Sequence, residues 1–105
     1  MGIDKSLIAE IVSRVLEVLQ PDKIIIFGSA ATDSMTLDSD IDLLILEKAP
    51  DLKRDSVVVH DKLRGLPFPF DVIVMATQRF EETKDLIGGI AYPADNYGKV
   101  IYESA

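Results

Sequence analysis

The sequence predicts an α/β domain in which helices cover a β-sheet. Stretches with apolar residues at helical spacing alternate along the chain with short, β-branched apolar runs. This alternation is typical of layered α/β domains. The uninterrupted apolar runs are residues 24–27, 43–46 and 72–76. The alternation leaves open whether the sheet is all parallel or mixed.

Length and composition are those of an ordinary globular domain. The chain has 105 residues, no cysteine, 48% apolar and 28% charged residues. We therefore expect one domain over residues 1–105, and we exclude a disordered chain and a disulfide scaffold. No apolar run approaches the ~20 residues of a membrane helix, and the first residues lack the layout of a signal peptide. The expectation is a cytoplasmic protein without membrane contact.

The charge of the chain restricts its partners. With 11 basic and 18 acidic residues, the net charge is −7. Nucleic-acid binding depends on Lys and Arg contacts to phosphate, so no direct nucleic-acid binding is expected. The same charge opposes any phosphate-handling role unless a metal ion attracts the anion.

The first half of the chain predicts a helix, a strand, a short helix or turn, and a second strand. Asp4 is a candidate N-cap for the first helix, and Pro21 follows its end. The first strand is β-branched and apolar throughout, which predicts burial on both faces. A polar loop over 36–39 precedes the second strand. In order, the elements cover residues 4–19, 23–27, 29–35 and 41–46.

The second half predicts a helix, a strand and a tail of smaller elements. Asp51 is a candidate N-cap and Gly65 a candidate stop for the helix, although its valines 57–59 have strand propensity. Glycine and proline interrupt the tail. In order, we expect a helix over 51–64, a strand over 70–75, a helix over 77–84, a short helix over 93–97 and a closing strand over 99–102.

Three aspartates stand at the starts of predicted strands. Asp40 and Asp42 are two residues apart, so their side chains project to the same face. Asp71 joins them if the second and third strands are neighbours. Carboxylates this close raise a pKa or require a cation, and hard oxygen ligands select Mg²⁺ or Mn²⁺. A lone aspartate at a strand edge is more often solvated, and we place Asp38, in the polar loop, in that class.

Gly28 and Ser29 follow the first strand directly. Glycine lets the backbone approach a ligand closely, and a helix N-terminus offers free N–H groups to a phosphate. The serine hydroxyl adds a donor or serves as an N-cap. The dipeptide is weak by itself, and it is not a Walker A loop, which needs a Lys-Ser/Thr ending.

Together these residues resemble the nucleotidyltransferase superfamily that includes polymerase-β-like enzymes. The matching motifs are Phe27-Gly28-Ser29, then Asp40-Ile41-Asp42 before an apolar strand, then Asp71 at the start of a later strand. Nearly the whole chain is similar to the small stand-alone members, the minimal nucleotidyltransferases, and residues 95–103 are similar to their common ending. The resemblance implies a small mixed β-sheet packed with helices, the nucleotidyltransferase fold.

The resemblance also implies an activity and a role for each motif. Asp40 and Asp42 would hold two Mg²⁺ ions, and Asp71 would complete the metal site and act as general base near the acceptor hydroxyl. Gly28 and Ser29 would bind the β- and γ-phosphates. The reaction would be two-metal transfer of a nucleotide, AMP with ATP as the substrate.

Two departures from the family concern the phosphates and the acceptor. Many small members carry a basic residue shortly after Gly-Ser, where this chain has Ala30, Ala31 and Thr32. Arg79 is then the only later candidate to contact the phosphates. A chain of this length also leaves no room for the helical domain with which larger relatives bind their acceptors. We therefore expect that another protein supplies the acceptor site or that the acceptor is itself a protein.

The resemblance suggests which partner this is. Small members are commonly the antitoxin of a helical HEPN toxin, either by transferring AMP to a toxin tyrosine or by binding. The alternatives are a non-catalytic binding antitoxin and a nucleotide-binding regulatory module with the same fold. We interpret His60, the only histidine, as a surface residue. Tyr92, Tyr97 and Tyr102 are interpreted as packing residues, with contact to a base or a partner as the alternative.

Overall fold

The computed structural model describes residues 5–27, 40–86, 88–89 and 91–104. The helix or turn expected over 29–35, the polar loop and the Asp4 cap lie outside these residues. No helix in the described ranges is long and apolar enough to cross a membrane. The described elements are α1 (Lys5–Leu16), β1 (Lys23–Phe27), β2 (Ile41–Glu47), α2 (Leu52–Lys62), β3 (Phe70–Ala76), α3 (Thr77–Thr83), α4 (Ala91–Tyr97) and β4 (Lys99–Glu103).

The four strands form one mixed sheet in the order β3-β2-β1-β4. β1 runs antiparallel to both β2 and β4, whereas β2 and β3 are parallel. Two parallel neighbouring strands need a crossover connection, and α2 provides this connection between β2 and β3. The sheet therefore is mixed, as the family resemblance implied, and each predicted strand is confirmed to within a residue or two.

Alternate residues of the central strands point to two separate cores. One core lies under α1 and α2, and the other lies under α3 and α4. The prediction that β1 is buried on both faces is confirmed, because its three isoleucines divide between them. The first core includes Ile11, Val15, Ile24, Ile26, Leu43, Ile45, Val59 and Leu63. The second consists of Ile25, Leu44, Leu46, Phe80, Ala91 and Ala94.

The N-cap of α2 agrees with the sequence prediction, whereas the helix ends two residues before the predicted residue 64, with Leu63 as its C-cap. The Asp51 side chain accepts a hydrogen bond from the Arg54 backbone N–H at 3.1 Å. Asp55 accepts one in return from the Asp51 N–H at 3.0 Å. The helix ends at Lys62, and Gly65 follows with φ of 96°. Val59 is fully buried in the first core, so tertiary packing decides in favour of helix against strand propensity.

The predicted bounds of α1 and α4 also differ from the structure by two residues or more. α1 ends at Leu16, although the Leu19 N–H still donates to the Val15 carbonyl at 3.0 Å in a final turn. α4 begins at Ala91, before Pro93. The N–H groups in the first turn of a helix have no partner within the helix, so a proline there loses no hydrogen bond. Pro93 therefore lies inside the first turn of α4 and does not mark its start.

A pair of buried acids lies at the far end of β2 from Asp42. Asp55 is 3% exposed, and its Oδ1 contacts the Arg54 guanidinium at 3.2 Å. Oε2 of Glu47 is buried with no hydrogen-bond partner among the described residues. Burial raises the pKa of Glu47 to about 7, the neighbouring Asp55 carboxyl adds to this, and Arg54 opposes it. Asp22 also raises this pKa, and its own carboxylate accepts from the Thr77 hydroxyl at 2.6 Å.

We expect Glu47 to make the protein less stable in alkaline solution. Its folded-state pKa lies above the model value of 4.5, so its stabilising contribution is complete at low pH and is lost as pH rises through about 7. Glu47→Gln should raise the free energy of unfolding at pH 8 by about 1 kcal/mol, or ~4–8 °C in Tm, with little change at pH 5. Thermal unfolding across this range measures the effect, with the exposed Glu82→Gln as control. An equal loss of Tm at both pH values would contradict it.

Candidate active site

The register of β2 and β3 brings two of the predicted site carboxylates together. Asp42 and Asp71 are paired residues of these parallel strands. Paired residues project to the same face of a sheet. Asp42 and Asp71 therefore lie on the same face of the sheet as Leu44 and Ile73. Beyond the two aspartates, α3 and α4 cover this face. The condition for Asp71 to join the aspartate pair, that the second and third strands are neighbours, is therefore met.

Asp40 directly precedes β2 and is exposed, as is Asp71, whereas Asp42 is half-buried. Burial raises the pKa of Asp42, and repulsion from the Asp71 and Asp40 carboxylates raises it further. None of the three aspartates forms an ion pair with a described residue. The three side chains thus share a negative field that the described part of the chain does not neutralise.

The chemistry of this set fits a divalent cation. All three side chains offer hard carboxylate oxygens, the ligands that Mg²⁺ takes in proteins. A bound cation would also relieve the repulsion that raises the pKa of Asp42. Among the residues that the structure describes, however, no three His, Cys, Asp or Glu side chains are arranged closely enough to hold a metal ion. The described carboxylates are suitable ligands for Mg²⁺, but they do not form a preformed metal cage, that is, three ligands already arranged around one position.

The predicted phosphate-binding residues follow directly in sequence the strand end that lies beside Asp42. β1 ends at Phe27, which is the register partner of Asp42. Gly28 and Ser29 come next in the chain and lie outside the described residues. Their role as phosphate ligands stays a prediction.

The structure places Arg79, the later candidate for a phosphate contact, at the end of β3 away from the carboxylates. β3 begins beside the carboxylates and runs away from them, and α3, which carries Arg79, follows its other end. The five residue-to-residue steps from Asp71 to Ala76 span about 17 Å of extended chain. Arg79 lies in a groove with Pro50, Leu52 and Ala76. Because α3 follows the last residue of β3, Arg79 lies at the opposite end of this strand from Asp71.

The structure also shows residues beside the site that the sequence alone did not place there. His60 is exposed, as expected, but with Ser56 it lines a groove next to Asp71. The sequence feature that could have indicated a shared position is the four-residue spacing of Ser56 and His60, which puts both on one side of α2. Of the tyrosines, Tyr102 packs against the first core, whereas Tyr97 is 64% exposed.

Comparison with known proteins establishes the family. The nucleotidyltransferase domain family matches residues 7–91, most of the chain, and the chain therefore belongs to this family. No curated protein matches it. Two solved structures confirm the predicted fold class.

The first of these structures is a toxin–antitoxin crystallised with AMP-PNP. It has a TM-score of 0.70 and 16% identity, over 92% of this chain and 73% of that chain. The second, from Sulfolobus solfataricus, has been assigned as a nucleotidyltransferase. It has a TM-score of 0.55 and 28% identity, over 81% of this chain and 86% of that chain.

Proposed function

We propose that this protein is a Mg²⁺-dependent nucleotidyltransferase that transfers AMP from ATP to a hydroxyl of a protein partner. The observation that carries the proposal is the pairing of Asp42 with Asp71 in a member of the nucleotidyltransferase family. β1 ends beside this pair, and Gly28 and Ser29 come next in the chain. We further propose that it acts as the antitoxin of a helical HEPN-type toxin. The structural similarity to a toxin–antitoxin with AMP-PNP supports this part.

Each motif has a distinct task in the proposed reaction. Gly28 and Ser29 bind the β- and γ-phosphates through backbone N–H groups and the hydroxyl. Asp40, Asp42 and Asp71 would hold the metal. When bound, Mg²⁺ lowers the pKa of the attacking hydroxyl and stabilises the leaving pyrophosphate. Asp71 takes the proton from the acceptor hydroxyl, whose oxygen bonds to the α-phosphorus as the bond to pyrophosphate breaks. Asp71 suits this task because it is exposed on an edge strand.

A second candidate function is binding without catalysis, as a masking antitoxin or a nucleotide-binding regulatory module. It is favoured by the lack of a preformed metal cage in the described ranges. The residues Ala30, Ala31 and Thr32, where many small members carry a basic residue, favour it as well.

Calorimetric titration with ATP separates these functions, in the presence of Mg²⁺ and of EDTA. We expect metal-dependent binding to the wild type and its loss in the double variant Asp40→Asn/Asp42→Asn, because the metal ligands are gone. The matched control is Asp61→Asn/Asp85→Asn, which removes the same charge from exposed helix and turn positions. Binding that survives in the first double variant would place the nucleotide elsewhere. No binding by folded wild type would favour the masking function.

A further inference from the structure

Among the described strands, β3 lies at the outer edge of the sheet, beside the candidate site. The Pro69 carbonyl accepts from the Ile41 N–H at 2.9 Å, so the alternate residues from Pro69 onward turn their backbone groups toward β2. The backbone groups of Phe70, Val72 and Val74 consequently face outward, and no described residue bonds to them. They flank Asp71 with unused donors and acceptors.

Two grooves lie along this edge, and residues of α2 line each of them on one side. Leu52, Ser56 and His60 are spaced by four residues, which puts them on one side of the helix. Ser56 and His60 line the first groove beside residues 70–72, and Leu52 lines the second beside residues 74–76. α2 therefore runs antiparallel to β3 along this outer edge. The seven residues of β3 give an extended partner about 23 Å of edge.

We propose that an extended segment of the acceptor protein adds as a strand to the outer edge of β3 and thereby places its hydroxyl residue beside Asp71. The inference rests on the proposed function and names the form in which the acceptor binds. Strand addition uses backbone hydrogen bonds for affinity and side-chain pockets for specificity. The partner is thus an unfolded tail or loop of the acceptor and not the face of a helix.

The pleat of the added strand determines where each of its side chains goes. The residue opposite Asp71 projects to the same face as Asp71 and Asp42. Its two neighbours project to the other face, toward Ser56 and His60. The hydroxyl oxygen of the residue opposite Asp71 forms the new bond to the α-phosphorus, its proton passes to Asp71, and pyrophosphate leaves.

The second groove, at the far end of β3, adds a preference for the rest of the segment. Leu52 is 58% exposed, and it lines this groove together with Met75 and Arg79. Arg79 forms no ion pair with a described residue. The acceptor segment should therefore carry an apolar residue and an acidic residue beyond its hydroxyl residue.

Transfer to short peptides tests the proposal. The probes are peptides with a single tyrosine, serine or threonine, with or without an apolar and an acidic residue further along, incubated with Mg²⁺ and ATP labelled at the α-phosphate. Val72→Pro removes an outward N–H and leaves the ladder to β2 intact. Ser56→Arg fills the first groove. Each should lower kcat/KM for the peptide by about tenfold or more, through KM, with ATP binding unchanged.

The matched control is Ser13→Arg, the same substitution on the exposed side of α1, away from β3. It should leave peptide labelling at the wild-type rate. Unchanged kcat/KM in Ser56→Arg and in Val72→Pro overturns the proposal, and so does a loss confined to Ser13→Arg.

Amide hydrogen exchange on the full chain decides the question without the reaction. In the free protein, we expect fast exchange at the outward amides of Phe70, Val72 and Val74 and slow exchange at the inward amides of Asp71 and Ile73. The peptide with the hydroxyl, apolar and acidic residues should slow the outward amides. Their unchanged exchange at saturating peptide overturns strand addition even if ATP binds and transfer occurs. Absence of ATP binding, by contrast, defeats the proposed function and leaves this measurement valid.

Discussion

Asp42→Asn should abolish nucleotidyl transfer while the fold is retained. Asp42 is the most buried of the three aspartates and is paired with Asp71 across the parallel strands. Losing a ligand of the catalytic metal removes several kcal/mol of transition-state stabilisation, a rate loss of about a thousandfold or more. The measurement is labelling of the protein partner from ATP labelled at the α-phosphate. Labelling at the wild-type rate would refute the assignment of Asp42.

The same variant should melt at a higher temperature than the wild type when no divalent metal is present. Burial and repulsion from Asp71 and Asp40 raise the pKa of Asp42. The stability that accompanies a raised carboxyl pKa is present at low pH and lost as pH rises through the folded-state value. At neutral pH the uncharged Asn removes this penalty. A lower Tm would show that Asp42 is structural. Asp85→Asn, an exposed change of equal charge, should alter neither activity nor Tm.

Gly98→Ala should produce the largest loss of stability among small substitutions. Gly98 joins α4 to β4, and its N–H donates to the Ala94 carbonyl at 3.0 Å. A Cβ added there would overlap the Ala94 carbonyl oxygen and lie 2.6 Å from Ile25 Cγ2. Relief would require α4 to move away from the sheet. We expect a cost of about 3 kcal/mol or more, which lowers Tm by more than ~10 °C.

Gly89→Ala is the matched control, because an added Cβ at Gly89 meets nothing within 4 Å. Its effect should stay within about 0.5 kcal/mol. Chemical denaturation of both variants measures the two free energies. Equal stabilities would mean that α4 moves away from β1 at little cost, against the buried packing of Ala91 and Ala94 on Ile25.

Local sequence predicted the elements of this fold because their signals are local. The apolar run of β1, the Asp51 cap and Gly65 depend on side-chain and backbone preferences within a few residues. The valines 57–59 show the limit of such signals. Strand propensity at these positions was overruled because Val59 fills the core between α2 and the sheet. Local preference is worth less than burial of a large apolar side chain.

The candidate site divides in the same way. The spacing of Asp40 and Asp42 predicted a shared face, because residues two apart in an extended chain follow the period of the pleat. The sequence by itself could not decide whether Asp71 joins them, where Arg79 lies, or that Ser56 and His60 border the site. Those positions depend on which strands are neighbours, in which direction they run and which strand lies at the edge. Only the tertiary structure decides these, since strand neighbours are selected by the packing of the whole sheet against its helices and not by any short stretch of chain.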